Sequence, residues 1–376
     1  MIDRNSLKNL ASGYSADGVL VSAFISTSRL DDWRQTAPTF LNSESGRVLK
    51  ERSLEKEPRR RLQEDIDHIG EVLRYEVGPR TEGLAVFADA ESGSFERFEL
   101  PFRLENRLVV EPTPYVRPLI HALSLLEPFV FVRVSRDEST VYSIDEWRLV
   151  GVEGHSGPYL KSTDRETGDV PVKEYYAAAR QEALVDLHFK DVSAAVDKTL
   201  DETAAGRIVL SGQHDIVAHF KKALSARAAA MVAAETSVDA AASIAQLLVG
   251  ARAALEDARR SAMEEIAHRI SEGLGSNGMG AAGFDDTLAA LRRGQVQTLL
   301  VDRAYRPPGW RCAGCGHVVL APAEKCPVCG GAMVPVVDAV GEAVRTAVLQ
   351  GAFIEVAEEV LELEAMGGIG GLLRYA

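Results

Sequence analysis

All four cysteines of the chain lie in one short stretch, RCAGCGHVVLAPAEKCPVCGG, which spans residues 311–331. They form two C-x-x-C pairs separated by ten residues, at Cys312, Cys315, Cys326 and Cys329. Each pair makes a tight turn that can aim two thiolates at one point, and four thiolates so placed suit tetrahedral Zn²⁺. Glycines beside both pairs permit the turn geometry. The pattern predicts a zinc site in preference to four unrelated or redox-active thiols.

A zinc ion bound by four thiolates has no open coordination position, so the predicted site is structural and not catalytic. The metal would fold a local zinc lobe, residues 311–331, which has too few apolar residues to fold alone. His317 lies between the pairs and is expected to be a bystander, because sulfur already fills four positions. Arg306 and Arg311 give this part of the chain a local basic excess. They indicate either an RNA-facing tip or an ordinary solvated face, and the sequence favours neither.

No pattern of catalytic residues accompanies the cysteines. The stretch GHSGP resembles a serine-nucleophile elbow, but Pro158 stands where that motif requires glycine. The sequence has no glycine-rich phosphate loop at a strand-to-helix turn and no H-E-x-x-H metal motif. Local chemistry alone gives no support for an enzyme, and we expect a protein that is not one.

Composition narrows the class of protein further. A chain of 376 residues suggests two or three domains. A net charge of −13 argues against a sequence-independent nucleic-acid binder, although an acidic body can still make local basic contacts with a ribosome. The sequence shows neither a hydrophobic signal core nor a bilayer-spanning run. We therefore expect a cytoplasmic protein with no membrane partner, in which paired cysteines bind metal and do not form disulfides.

Periodic patterns predict the elements that must position these groups. In the first 112 residues, GVLVSAFIST indicates a buried strand, and Leu62, Ile66, Ile69 and Leu73 recur at helical spacing. Prolines in EPTPYVRPL then mark a domain boundary near residues 112–113. The N-terminal third is expected to be an α/β domain.

The middle of the chain, residues 113–236, is predicted to contain an antiparallel meander of three strands, FVFVRVS, STVYSID and EWRLVGVEG. A polar loop follows over residues 154–170, and it is longer than ordinary connections, which indicates function or disorder. A long helix is predicted from Pro171 to about Thr203. Its apolar face is expected to carry Tyr176, Ala179, Ala183 and Leu187. A later β–α–β pattern implies a mixed sheet with parallel strands.

The last part of the chain, residues 237–376, carries a family resemblance. GFDDTLAALRRGQVQTLLVD, the cysteine insertion after it and the ending MGGIGGLLRYA resemble the C-terminal domain of archaeal and eukaryotic peptide release factors and Pelota. The middle third is similar to the RNase H-like central domain of that family. Among bacterial members the chain resembles the Balon type of ribosome hibernation factor. The resemblance implies three α/β domains, the last an α/β sandwich with a four-cysteine zinc insertion.

One departure from the family pattern bears on activity. Release factors carry Gly-Gly-Gln in the loop before the long central helix, and the sequence here has no Gly-Gly-Gln and no Asn-Ile-Lys-Ser codon reader. The resemblance therefore implies a stress-response factor that binds rRNA in the ribosomal A site and does not hydrolyse peptidyl-tRNA. His155, Lys161 and Arg165 of the 154–170 loop are the predicted RNA contacts.

The resemblance also implies partners. A translational GTPase such as elongation factor Tu is expected to meet the C-terminal domain, and a monomer suits a factor that binds the A site. Two alternatives stay open. The chain could hydrolyse peptidyl-tRNA as a rescue factor through an unorthodox loop, or it could be a zinc-stapled interaction protein with no role on the ribosome.

Overall fold

The computed structural model describes residues 3–28, 30, 32–52, 54–157, 171–237, 242–275 and 278–375. These residues form a mixed α/β protein with four sheets, which confirms the predicted fold class. Among them, no helix is long and apolar enough to cross a membrane. The chain divides into two compact units, one of Met1–Ser124 with Met263–Ala376 and one of Leu125–Ala262. The division into three domains at residues 112–113 and 236–237 stays a prediction.

The N-terminal part of the first unit is a four-stranded antiparallel sheet in the order β3-β2-β1-β4. Its elements are α1 (Arg4–Ala11), β1 (Leu20–Ser26), α2 (Trp33–Glu51), α3 (Lys56–Tyr75), β2 (Gly83–Asp89), β3 (Ser94–Leu100), β4 (Arg107–Glu111) and α4 (Arg117–Leu126). Strand β1 is buried along its whole length, and α3 packs on the sheet through Leu62, Ile66, Ile69 and Leu73. Both elements confirm the sequence prediction.

The second unit is built on a five-stranded sheet in the order β7-β6-β5-β8-β9. Its elements are β5 (Phe129–Arg133), β6 (Glu138–Asp145), β7 (Arg148–Ser156), α5 (Pro171–Glu202), β8 (Arg207–Ser211), α6 (His214–Ala223), α7 (Ala226–Ala230) and β9 (Val232–Thr236). The first three strands form the predicted antiparallel meander, and β8 and β9 join in parallel. This order and these strand directions are the RNase H-like sheet that the resemblance implies.

Helix α5 has the predicted length but buries a different face. Its core residues are Val185, Phe189, Val192 and Val196, which pack under the sheet. Ala183 is exposed and Leu187 is 54% exposed, so the predicted apolar face is wrong at these two positions. The side chains of Tyr176 and Ala179 lie outside the described part of the structure. Helical spacing alone places Ala183 and Leu187 in the core, whereas the larger branched and aromatic side chains of this part of the helix lie on the neighbouring face.

The C-terminal part of the first unit contains a second four-stranded sheet, in the order β10-β16-β11-β15. The remaining elements are α8 (Ile244–Gly275), which begins in the other unit, and β10 (Gly280–Ala282), α9 (Phe284–Arg292), β11 (Val296–Asp302), β12 (Gly309–Cys312), β13 (Val318–Val319), β14 (Met333–Val336), α10 (Ala339–Gln350), β15 (Phe353–Ala357), α11 (Leu361–Ala365) and β16 (Ile369–Leu373). Strands β12, β13 and β14 form a separate antiparallel sheet between β11 and α10. We call residues 309–336 the cysteine ribbon. Its position confirms the prediction that the cysteines form an insertion after the strand that is now β11.

Candidate metal centre

The cysteine ribbon brings all four thiols to one point. Their sulfur atoms lie within 4.8 Å of one another, with 3.4 Å between Cys312 and Cys329 and 3.6 Å between Cys315 and Cys326. The cysteines are all free, two of them buried and two exposed. Tetrahedral coordination with Zn–S bonds of about 2.3 Å requires sulfur atoms about 3.8 Å apart. The observed spacing is compatible with a zinc ion held by all four.

The two C-x-x-C turns share one backbone design. In each, the glycine after the second cysteine donates its N–H to the carbonyl of the first, from Gly316 to Cys312 at 3.0 Å and from Gly330 to Cys326 at 2.9 Å. These glycines have φ of +71° and +74°, a left-handed conformation that disfavours other residues. Gly331 is needed for space, because a Cβ there would lie 3.2 Å from the Cys312 sulfur. The glycines noted in the sequence therefore build the turns.

Backbone amides also prepare the sulfur atoms for a cation. The Cys315 N–H points at the Cys312 sulfur and the Val328 N–H at the Cys326 sulfur, each at 3.4 Å. The amide of Cys315 lowers the pKa of the Cys312 thiol to about 6, which favours the thiolate that a metal binds. A zinc ion held by four sulfur ligands would have no position left for substrate, so the donor set suits a structural metal.

Two other groups of possible metal ligands do not add to this cage. His317 lies outside the group of four sulfurs, and its Nδ1 accepts a hydrogen bond from Arg292 at 2.9 Å. Burial and this arginine lower the pKa of His317, so it is a neutral acceptor. Elsewhere, three carboxylates of Asp17, Asp89 and Glu91 also approach one another. The Arg61 guanidinium lies 3.0 Å from Asp17 and 3.3 Å from Glu91 and neutralises charge there.

The cysteine ribbon is tied to α10 by a buried ion pair. Arg311 in β12 lies 3.1 Å from Glu342, and their side chains are 8% and 6% exposed. Glu342 also accepts a hydrogen bond of 2.5 Å from the Thr113 hydroxyl. One carboxylate of α10 thereby joins the strand that carries Cys312 to the segment after β4. A cysteine ribbon that is stabilised by metal would hold Arg311 in place for this ion pair.

A second buried ion pair lies at the start of α10. Arg117 donates to Asp338 at 2.7 Å, and the two side chains are 4% and 1% exposed. The Tyr115 hydroxyl donates to the same Asp338 oxygen at 2.8 Å, and the other oxygen caps α10 by accepting from the Gly341 amide at 2.9 Å. Arg117 also donates to the carbonyl of Tyr305 at 3.0 Å. Every charge in this group is therefore paired, as buried charges require.

Glu111 completes the polar group. Its side chain accepts a hydrogen bond of 2.6 Å from the Val337 amide, and the residue is 3% exposed. Burial raises the pKa of Glu111 from its usual 4.5 to about 7. Arg52 opposes that rise, and its own pKa is lowered by burial. In the folded protein, the Glu111 carboxyl therefore gains or loses its proton near neutral pH.

The raised pKa of Glu111 makes the free energy of unfolding depend on pH in a way that can be measured. A carboxyl with a raised pKa binds more protons in the folded than in the unfolded chain, so its contribution to stability is lost as pH rises from about 4.5 to 7. The loss is on the order of 3 kcal/mol. Glu111→Gln keeps the acceptor for Val337 and removes the charge. We expect its free energy of unfolding in urea, relative to wild type, to increase between pH 5.5 and 8.

The matched control is Glu96→Gln, which removes an exposed carboxylate from β3. Its difference from wild type should stay within about 0.5 kcal/mol at every pH. A Glu111→Gln difference that is constant from pH 5.5 to 8 would contradict the raised pKa.

The predicted RNA contacts are distributed differently from the expectation. Arg306 pairs with Glu105 at 3.2 Å, and Arg311 is buried against Glu342, so neither guanidinium is offered freely to a partner. His155 lies within β7, opposite Ser139, and not in a loop. The strand therefore extends to Ser156, beyond the predicted loop start at residue 154. Lys161 and Arg165 lie outside the described residues. The RNA role of all five stays a prediction.

Strand β7 ends over a buried polar pair that the sequence did not indicate. His188 of α5 lies 3.0 Å from the Ser139 hydroxyl, and both are at most 2% exposed. Burial, with a smaller effect of His155, lowers the pKa of His188 and keeps the ring neutral. A Cβ at Gly157 would lie 3.3 Å from the His188 ring, so the chain passes close over it. Because the Ser139 hydroxyl is covered, we interpret this pair as structural support for the end of β7.

Comparison with known protein families supports the sequence resemblance. Residues 114–256 match the sequence model of bacterial archaeo-eukaryotic release factor family 10. The matched range contains the five-stranded sheet, the segment before α5 and the helix itself. Among curated proteins, none matches the chain.

Solved structures of related factors are similar at low identity. Archaeal translation termination factor aRF1 is 20% identical over 100% of this chain and 99% of that one, with a TM-score of 0.26. Archaeal Pelota, from a ribosome-bound assembly with ABCE1, is 15% identical over 78% and 77% of the two chains, with a TM-score of 0.40. S. cerevisiae Dom34, a termination-like factor that interacts with Hbs1, is 13% identical over 78% and 79%, with a TM-score of 0.41. Because these scores lie below 0.5, the resemblance rests on the sequence match, by which residues 114–256 are similar to bacterial archaeo-eukaryotic release factor family 10.

Proposed function

We propose that this chain is a cytoplasmic translation factor that occupies the ribosomal A site as a hibernation factor and does not hydrolyse peptidyl-tRNA. The observation that carries the proposal is the match of residues 114–256 to a release-factor family in a sequence without Gly-Gly-Gln. A factor of this superfamily that lacks the hydrolytic motif can still bind and occlude. The segment between β7 and α5 stands where the family carries that motif.

The proposal assigns different work to the two compact units. The unit of Leu125–Ala262 carries the β7–α5 segment toward the tRNA acceptor path, where His155, Lys161 and Arg165 contact rRNA. The other unit carries the cysteine ribbon, in which Cys312, Cys315, Cys326 and Cys329 hold one Zn²⁺. Zinc supplies folding free energy to a segment with a small core and takes no part in a reaction. A translational GTPase such as elongation factor Tu is the proposed protein partner, and the factor acts as a monomer.

Sedimentation of the purified protein with empty 70S ribosomes tests the binding step. We expect the protein to co-sediment with 70S particles at low salt and to compete with a tRNA for the A site. Absence from the 70S fraction would favour an interaction protein with no ribosomal role. A reconstruction of the complex by electron microscopy would identify the site and the path of residues 158–170.

A release assay on stalled ribosomes tests the absence of hydrolysis. We expect no more nascent chain to be released than without factor, and a variant with residues 159–169 replaced by a short Gly-Ser linker should behave alike. Release by the wild type that disappears in the linker variant would establish peptidyl-tRNA hydrolysis instead. A Gly-Gly-Gln release factor added to the same ribosomes is the positive control.

A further inference from the structure

The arginines that the sequence placed near the cysteines are neutralised in the structure. Arg303 pairs with Glu358, Arg306 with Glu105 and Arg311 with Glu342. An anionic partner would have to displace a carboxylate from each of them. The basic surface of this unit must therefore be sought among other residues.

Three arginines from two segments lie beside the cysteine ribbon. Arg292 and Arg293 end α9, and Arg374 and Tyr375 follow β16, while His317 belongs to the turn between β12 and β13. These five residues form what we call the α9 surface. Contacts join them, since Arg292 donates to His317 at 2.9 Å and the Tyr375 hydroxyl donates to the Arg293 carbonyl at 3.4 Å.

The backbone beneath the α9 surface is fixed by hydrogen bonds. The Arg374 amide donates to the Gln295 carbonyl at 2.8 Å, and Gln350 donates to the Leu291 carbonyl at 2.7 Å. Gly294 makes the turn after α9 with φ of +70°. Guanidiniums presented from an ordered backbone lose less conformational freedom when they bind a partner than guanidiniums on a disordered segment.

The positive charge of the α9 surface is uncompensated at short range. Within the described parts of the chain, no carboxylate oxygen is recorded within 4.0 Å of the guanidiniums of Arg292, Arg293 or Arg374. The side-chain partners recorded for the first two are neutral, His317 for Arg292 and Gln295 for Arg293. Asp285, at the start of α9, acts on His317 and opposes the lowering of its pKa. All three arginines are exposed.

We propose that the α9 surface binds the phosphate backbone of ribosomal RNA. Exposed guanidiniums without carboxylate partners release counterions when they meet phosphates, which is the main source of affinity for nucleic acid. Tyr375 is 54% exposed and offers a ring on which an unpaired base can stack. In a chain of net charge −13, unpaired positive charge is needed at the RNA contact, because the acidic remainder repels phosphates. This inference rests on the proposed ribosomal function and adds a second contact to the loop residues.

Charge reversal of the three arginines tests the inference. The variant Arg292→Glu/Arg293→Glu/Arg374→Glu should bind 70S ribosomes about 10- to 100-fold more weakly than wild type, measured by sedimentation over a series of KCl concentrations. The slope of log affinity against log salt should fall by about 2 to 3, since each lost phosphate contact removes about one unit. The variant Arg292→Lys/Arg293→Lys/Arg374→Lys keeps the charge and should bind within about threefold of wild type.

The matched control reverses three exposed arginines of the same unit that are outside the surface, in Arg59→Glu/Arg74→Glu/Arg80→Glu. It changes net charge equally and should bind like wild type. Equal binding by the first variant and wild type would overturn the α9 inference and leave the ribosomal function intact. Failure of the wild type to bind 70S particles would overturn both the α9 inference and the proposed ribosomal function. Zinc content and urea unfolding show whether the reversed variant is folded.

A photo-crosslinking residue in place of Tyr375 identifies the partner without any loss of charge. We expect it to attach to rRNA in the 70S complex. Attachment to a ribosomal protein alone would overturn the assignment to RNA, even if the charge reversal weakens binding.

Discussion

Replacing Cys312 and Cys326 with serine is expected to remove one zinc ion per chain and to unfold the cysteine ribbon. Both residues are buried, and each belongs to a different C-x-x-C pair. The variant therefore keeps only one thiolate in each pair, so neither pair can hold a metal. Binding of structural zinc contributes about 10–16 kcal/mol at neutral pH, as much as the whole stability of a typical domain. The ribbon has a small sheet of three short strands and cannot replace that contribution.

The loss should be measured as zinc per chain by mass spectrometry and as protection of residues 309–336 from proteolysis. Ribosome binding should fall at least tenfold, because the unfolded ribbon no longer holds Arg311 against Glu342 or supports His317 of the α9 surface. Val328→Ser is the matched control. Val328 lies between the second pair of cysteines, is 52% exposed and contacts sulfur through its backbone amide, which serine retains. Full zinc content and full binding in the double cysteine variant would reject the zinc assignment.

Replacing Arg117 with methionine should destabilise the first compact unit by about 3–5 kcal/mol, the usual result of removing one partner from a buried ion pair. Asp338 would keep its charge and the hydrogen bonds from Tyr115 and Gly341, but it would lose its positive partner. The carbonyls of Asp302 and Tyr305 would also lose a donor. Urea unfolding is the suitable measurement, since guanidinium salts screen charge.

A second substitution separates the charge from the packing. Asp338→Asn keeps an oxygen for the α10 cap and removes the negative charge. In the double variant, Arg117→Met/Asp338→Asn, the loss should be smaller than the sum of the two single losses by about 1–3 kcal/mol. Arg47→Met is the control, because Arg47 makes only exposed pairs with Glu44 and Glu51 and should cost less than about 1 kcal/mol. A loss at Arg117 no larger than that at Arg47 would contradict a paired buried charge.

Local sequence patterns were sufficient to predict the elements in which buried residues recur with a single helix or strand period. Strand β1 and helix α3 were predicted with their core residues, and so was the meander of β5, β6 and β7. Helix α2 was missed because its sequence, WRQTAPTFLNSESGRVLKE, contains a proline and a glycine and has little apolar periodicity. Tertiary packing of Trp33, Leu41 and Val48 against the sheet supplies what propensity lacks.

The clustering of the four cysteines was predictable because they are close in sequence and chemically unusual. Its supports were not. Arg117 and Asp338 are separated by 221 residues, and Thr113 and Glu342 by 229. Spacing cannot reveal which of many arginines and carboxylates will meet across such distances. For the same reason the sequence does not reveal that Arg306 and Arg311 each pair with a glutamate in the fold.

The pairing of distant segments has a consequence during translation of the chain itself. A ribosome that adds about 5–20 residues per second needs roughly 11 to 44 s to travel from Arg117 to Asp338. For most of that interval the nascent N-terminal sheet is outside the exit tunnel, while Glu111, Thr113 and Arg117 lack the partners that they have in the folded chain. These residues must stay hydrated until the cysteine ribbon and α10 emerge. A product that terminates before residue 338 therefore exposes an unfinished surface, on which chaperones and proteases can distinguish it from the complete factor.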